Sequence, residues 1–107
     1  MRILLDECAP RRLRRGLASH DVRTVQEMGW SGKKNGELLQ LMAAQRFEVF
    51  LTVDQNIRHQ QNLQGAGIAV VIMIAVTNRL ADLMPLLPSV NAALGSIKPG
   101  DVVEVQK

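Results

Sequence analysis

The feature that most constrains this chain is a run of nine consecutive apolar residues, 68–76 (IAVVIMIAV). A membrane-spanning helix needs about twenty such residues, so the run is too short to cross a bilayer. It has no polar alternation, so neither an amphipathic helix nor a half-exposed strand accounts for it. The Gly65-Ala66-Gly67 stretch before it and Thr77-Asn78 after it are turn and cap residues. What remains is a strand covered on both faces, which occurs where helices lie on either side of a parallel sheet.

The rest of the chain predicts the same architecture. Residues 2–5 form a short apolar strand ended by Asp6 and Glu7. Pro10 suits a first helical position, and a helix over 10–19 turns Leu13 and Leu17 inward. Residues 22–25 make a second strand, followed by one helical turn over 26–29 and a Gly/Ser/Lys loop over 30–34. Asn35 is a good N-cap for a helix reaching Arg46, with Leu38, Leu41 and Met42 at helical spacing. Residues 48–53 are a third strand ended by Asp54, and 55–61 a short polar helix. After a turn over 64–67 and the long apolar strand, a helix capped by Thr77 or Asn78 runs to Leu94, kinked or divided at Pro85 and Pro88. A turn over 98–101 leads to an edge strand over 102–105. Alternating strands and helices imply one α/β domain over 1–107: a mostly parallel sheet of four to five strands with helices on both faces, in an order the sequence leaves open.

Composition narrows the function classes. With 47% hydrophobic and only 3% aromatic residues in 107, the core must be aliphatic and there is no room for a second domain. The single cysteine, Cys8, excludes a disulfide scaffold and a multi-cysteine zinc site. It reads as a buried small residue, and a cytoplasmic location is the simplest one. Two acids by residue 7 leave no place for a signal peptide. A net charge of +3 admits an anionic partner, and Arg11, Arg12, Arg14 and Arg15 fall within five residues.

The placement of the acids is the most informative chemistry. In a parallel sheet every strand ends on one rim, where such folds bind ligands. Asp6 and Glu7 follow the first strand, Asp54 follows the third, and Glu37 opens a helix that can reach the same rim. If the first and third strands are neighbours, Asp6 and Asp54 converge. Clustered carboxylates repel and need protons or a divalent cation, and oxygen ligands suit Mg²⁺ or Mn²⁺. The alternative is a set of ordinary solvent-facing acids.

With these residues placed, the chain resembles the small stand-alone PIN-like proteins, often described as ribonuclease toxins of toxin–antitoxin pairs. The resemblance is carried by Arg2-Ile3-Leu4-Leu5-Asp6-Glu7 with Pro10, by Val22-Arg23-Thr24-Val25, by Asn35-Gly36-Glu37-Leu38-Leu39 and by Phe50-Leu51-Thr52-Val53-Asp54-Gln55-Asn56, up to about Thr77. It implies a Rossmann-like PIN fold and an Mg²⁺- or Mn²⁺-dependent endoribonuclease. Asp6 and Asp54 would be the core metal ligands and Glu7 an adjacent acid. Thr52 would be a hydrogen-bonding support, and RNA and an antitoxin protein the partners. Family members often carry acids where this chain has Asn35 and Asn56. An amide oxygen still ligates Mg²⁺ but brings no charge, so metal affinity should fall unless Glu37 compensates. A second comparison is with response-regulator receiver domains, through Asp6, Glu7, Asp54, Thr77 and Lys98-Pro99, where Asp54 would accept a phosphoryl group. A third outcome is a PIN-like module, weakened as a catalyst, that binds RNA or protein.

The first helix's arginines, with Lys33, Lys34, Arg58, His59 and Arg79, can form a channel for RNA phosphates; for Arg11 to Arg15 a solvated face, or pairing with acids of a partner protein, is an equal alternative. Lys33, Lys34 and Arg58 lie nearest the acids, with Arg79 and Arg11 farther along. Asn78 can support a metal-bound water or merely cap a helix. His59 reads as a surface residue, and Trp30 as core rather than a stacking platform. The last helix carries Leu80, Leu83, Met84, Leu86, Leu87 and Val90, more apolar residues than one core face needs, which points to a homodimer surface.

Overall fold

A computed structural model describes residues 1–59 and 63–107. Five strands, β1 (Arg2–Leu5), β2 (Asp21–Thr24), β3 (Val49–Thr52), β4 (Ala69–Ile74) and β5 (Val102–Gln106), form one sheet in the order β2-β1-β3-β4-β5. Every pairing is parallel. The helices are α1 (Asn35–Ala44), α2 (Leu63–Ala66), α3 (Leu80–Leu83) and α4 (Leu87–Leu94), with 3-10 segments Arg11–Leu17, Gln55–His59 and Met84–Leu86.

The pleat divides each strand between two apolar faces. Ile3, Leu5, Leu51 and Val71 face one side, where Leu13, Leu17 and α4 cover them. Leu4, Phe50, Val70 and Ile72 face the other, under Leu38 and Met42 of α1 and Ile57. Trp30 lies in this second layer, edge-on to Phe47 at 5.9 Å between ring centroids, as the core reading expected.

Several local expectations are corrected. The segment after Pro10 is a tight 3-10 helix, not an α-helix, and Pro10 flanks it in extended conformation. It lies close against α4: a Cβ on Gly16 would come within 2.4 Å of Leu87 Cδ1. Residues 63–66 form α2, not a turn, and the reversal is confined to Gly67 at φ +73°. The strand over 68–76 is shorter at both ends, and Val76 is 96% exposed. The expected helix over 55–61 ends in part outside the described residues.

The prolines do divide the last helical segment: Pro85 sits in the 3-10 turn and Pro88 in the first turn of α4. Its apolar residues are largely consumed within the chain. Leu83, Leu86, Leu87, Val90 and Leu94 are buried, leaving Met84 exposed, so the surplus expected to build a homodimer surface is mostly absent.

Candidate active site

Because β1 and β3 are adjacent and parallel, with Leu5 opposite Leu51, the residues that follow them emerge side by side. Asp6 continues the ladder for one more bond, donating its backbone N–H to the Leu51 carbonyl at 3.0 Å. Thr52, fully buried, then joins the two acids. Its hydroxyl donates to Asp6 Oδ2 at 2.6 Å and accepts the backbone N–H of Asp54 at 3.0 Å. One hydroxyl thus fixes the Asp6 carboxylate and the main chain of Asp54.

Each acid has further partners. Asp6 Oδ1 accepts the Glu7 backbone N–H at 2.8 Å, and Oδ2 also accepts from Cys8 Sγ at 3.3 Å. Asp54 Oδ1 accepts the Asn56 backbone N–H at 2.9 Å, and Oδ2 the side-chain amide of Asn35 at 3.2 Å. Asn35 was expected to cap α1. Lys34 takes that flanking position, without a side-chain cap, and Asn35 is the first residue of α1 with its amide on Asp54. Asn56 contributes a main-chain donor rather than its side chain.

The outer acids are placed differently. Glu7 accepts the Gly32 N–H at 3.3 Å, tying the end of β1 to the Lys loop. Glu37 is exposed and pairs with Lys33 at 4.0 Å, one helical turn away. Among the described residues no group of three or more His, Cys, Asp or Glu side chains is close enough to hold a metal together, so Glu7 and Glu37 do not join the pair in a common cluster.

The donor chemistry of two carboxylates suits a hard divalent cation. Mg²⁺ is commonly bound through one or two carboxylates, keeping waters and taking substrate phosphates as further ligands. A carboxylate offers about four lone-pair sites. Asp6 accepts three hydrogen bonds and Asp54 two, so acceptor capacity remains on both.

Among the candidate cations, Lys33 and Lys34 are exposed and line a shallow groove with Asn35, Gly36 and Glu37, beside Asp54's partner. Arg58 does not belong there. The short 3-10 helix turns its guanidinium toward β5, 3.3 Å from Glu104, and its Nε donates to the Gln55 carbonyl. Asn78 and Arg79 follow β4 and are exposed, with no side-chain hydrogen bond to Asp6 or Asp54. Thr77 organises that turn, accepting the Arg79 N–H at 3.1 Å and donating to Asp82. His59 is exposed, as expected of a surface residue.

Two features escaped the sequence reading. Cys8 is exposed, not buried, and its thiol lies against Asp6. Partial burial, then the Asp6 charge, pushes its pKa up to about 11, so the thiol stays protonated at neutral pH. The Asp82–Thr77 contact gave no sequence signal beyond a polar residue in a helical turn.

The receiver comparison fails on the same topology. Lys98 lies in the turn that precedes β5, where Gly100 N–H meets the Ile68 carbonyl and Val70 N–H the Asp101 carbonyl. That is the N-terminal end of β4 and β5, the rim opposite Asp54.

An all-parallel five-stranded sheet with acids at the C-terminal ends of two adjacent central strands defines an α/β domain whose ligand site is its carboxyl rim. The family model described as "PIN like domain" matches residues 1–75, from β1 through β4. The chain belongs to that PIN-like family. No curated protein and no solved structure matches it. No described helix is long and apolar enough to cross a membrane.

Proposed function

We propose that this PIN-like domain is a divalent-cation-dependent endoribonuclease of the ribonuclease-toxin type, hydrolysing RNA phosphodiester bonds at the Asp6–Asp54 rim. The observation that carries the reading is the Thr52 bridge, whose hydroxyl links the Asp6 carboxylate to the backbone of Asp54 at the ends of adjacent strands. Asp6 and Asp54 would hold Mg²⁺ or Mn²⁺. Such an ion supplies an activated water and charge stabilisation for the scissile phosphate. Thr52 fixes Asp6, while Asn35 and the Asn56 backbone orient Asp54. Lys33 and Lys34 attract the phosphates, with Arg11 and Arg79 flanking and Glu7, Glu37 and Asn78 as outer polar groups. A cytoplasmic setting and an antitoxin protein as natural inhibitor accompany this reading. With Mn²⁺ the purified chain should cleave single-stranded RNA, EDTA should stop it, and Asp6→Asn should be inactive. Equal cleavage by Asp6→Asn overturns the assignment.

A second reading is favoured by one observation: a neutral amide, Asn35, answers Asp54 where the family resemblance implies an acid. In that reading the domain binds RNA or protein without cutting. It predicts no Mn²⁺-dependent thermal shift together with a retained, salt-sensitive affinity for RNA.

A further inference from the structure

The 3-10 segment Arg11–Leu17 carries a feature that the acid rim does not use. Arg11, Arg12, Arg14 and Arg15 line one recess of about 390 Å³. Arg14 is neutralised by Glu27 at 2.7 Å. Among the described residues, Arg11, Arg12 and Arg15 have no carboxylate partner, and all three are exposed. The helix type matters. At three residues per turn, side chains at i and i+3 eclipse, so Arg12 stands above Arg15 about 6 Å along the axis. The buried Leu13 and Leu17 anchor the segment against the core. Arg11 likewise stands above Arg14, so two adjacent short rows form one arginine track held on an anchored segment.

The row also has a direction. The turn from Asp6 to Ala9 closes with an Ala9 N–H bond to the Asp6 carbonyl at 3.1 Å, and Arg11 begins the row two residues later. Leu13 and Leu17 pack in one apolar layer of the sheet, whereas α1, with Lys33 and Lys34 at its start, packs in the other. The acid pair thus lies on the edge between two cationic faces.

We propose that the Arg11–Arg12–Arg15 row is a phosphate track for single-stranded RNA, carrying the strand away from the acid pair on the face opposite Lys33 and Lys34. The proposal deepens the hydrolase reading and takes the identity of the polyanion from it. Guanidinium forks match phosphate oxygens in bidentate fashion, and a row of them suits a ligand with one charge per repeating unit.

The test is fluorescence-anisotropy binding of a labelled single-stranded RNA to the full chain in EDTA, across a salt series, with Mn²⁺-dependent cleavage followed separately. The triple variant Arg11→Gln, Arg12→Gln, Arg15→Gln keeps the Arg14–Glu27 pair. It should bind at least tenfold more weakly at low salt, with a log–log salt slope shallower by about 2, the value for three lost single-strand phosphate contacts. A charge-matched control, Arg46→Gln, Lys98→Gln, Lys107→Gln, should lose little affinity. The track is overturned if wild type does not bind RNA, if the two triple variants weaken equally, or if the arginine variant keeps the wild-type slope. It is also overturned if a polyglutamate peptide binds the row more tightly than RNA, which would assign it to an acidic protein. Absent cleavage with row-dependent binding removes the hydrolase reading and leaves the track standing.

Discussion

The side-chain amide of Asn35 donates to Asp54 Oδ2 at 3.2 Å, joining the first residue of α1 to the end of β3. An amide satisfies this carboxylate without adding charge. Replacing it by Asn35→Asp exchanges a donor for a second negative charge. In EDTA that variant should melt lower, by about 4–8 °C if the exchange costs about 1 kcal/mol. Mn²⁺ should raise its melting temperature more than it raises that of wild type. A thermal-shift titration with Mn²⁺ checks this; equal shifts in the two proteins would contradict the role given to Asn35.

Thr52 is fully buried and serves two partners with one hydroxyl. Thr52→Val preserves shape but leaves Asp6 Oδ2 short of a donor and the Asp54 N–H without an acceptor. A buried group stripped of its partner costs about 1–3 kcal/mol. Urea unfolding should show that loss, while Thr52→Ser should stay near wild type. A Thr52→Val protein as stable as wild type would mean that the bridge is not a structural constraint.

The pH behaviour of Cys8 follows from its position. Its folded pKa, about 11, lies above the ordinary thiol value of 9.0 because burial and then the Asp6 charge disfavour the thiolate. The folded state therefore holds the proton more tightly than the unfolded chain. This contribution to stability is complete below pH 9 and is lost as pH rises toward 11. Alkylation by iodoacetamide, followed by mass spectrometry, should be slow at pH 8 and accelerate toward pH 11. Asp6→Asn should make it faster at every intermediate pH. A rate profile with its midpoint near pH 9 would contradict the Asp6–Cys8 contact.

Much of the fold was legible because buried parallel strands are nearly uniform in sequence. Residues 2–5, 49–52 and 69–74 could be little else, and their crossovers put the acids on one rim. The order β2-β1-β3 was not legible, since it depends on which strands pair rather than on any one segment. Local misreadings share a cause: tertiary packing overrides propensity. Gly16, pressed on Leu87, belongs to a 3-10 turn, and Asn35 opens α1 with its amide on Asp54 instead of capping the helix. In the site, Asp6 and Asp54 were readable from strand ends, whereas Thr52 was implied only by the family resemblance. The direction of Arg58 was not, because a short 3-10 segment turns it to Glu104. The Cys8 contact was equally hidden, because it arises only from how residues 6–9 turn.

The central claim is that Asp6 and Asp54 act as one unit. Single-stranded RNA cleavage with Mn²⁺, compared among wild type, Asp6→Asn, Asp54→Asn and the double variant, tests it most directly. Groups that act together are non-additive, so each single variant should fall to the level of the double. Wild-type cleavage in either single variant, or losses that simply multiply in the double, would contradict it.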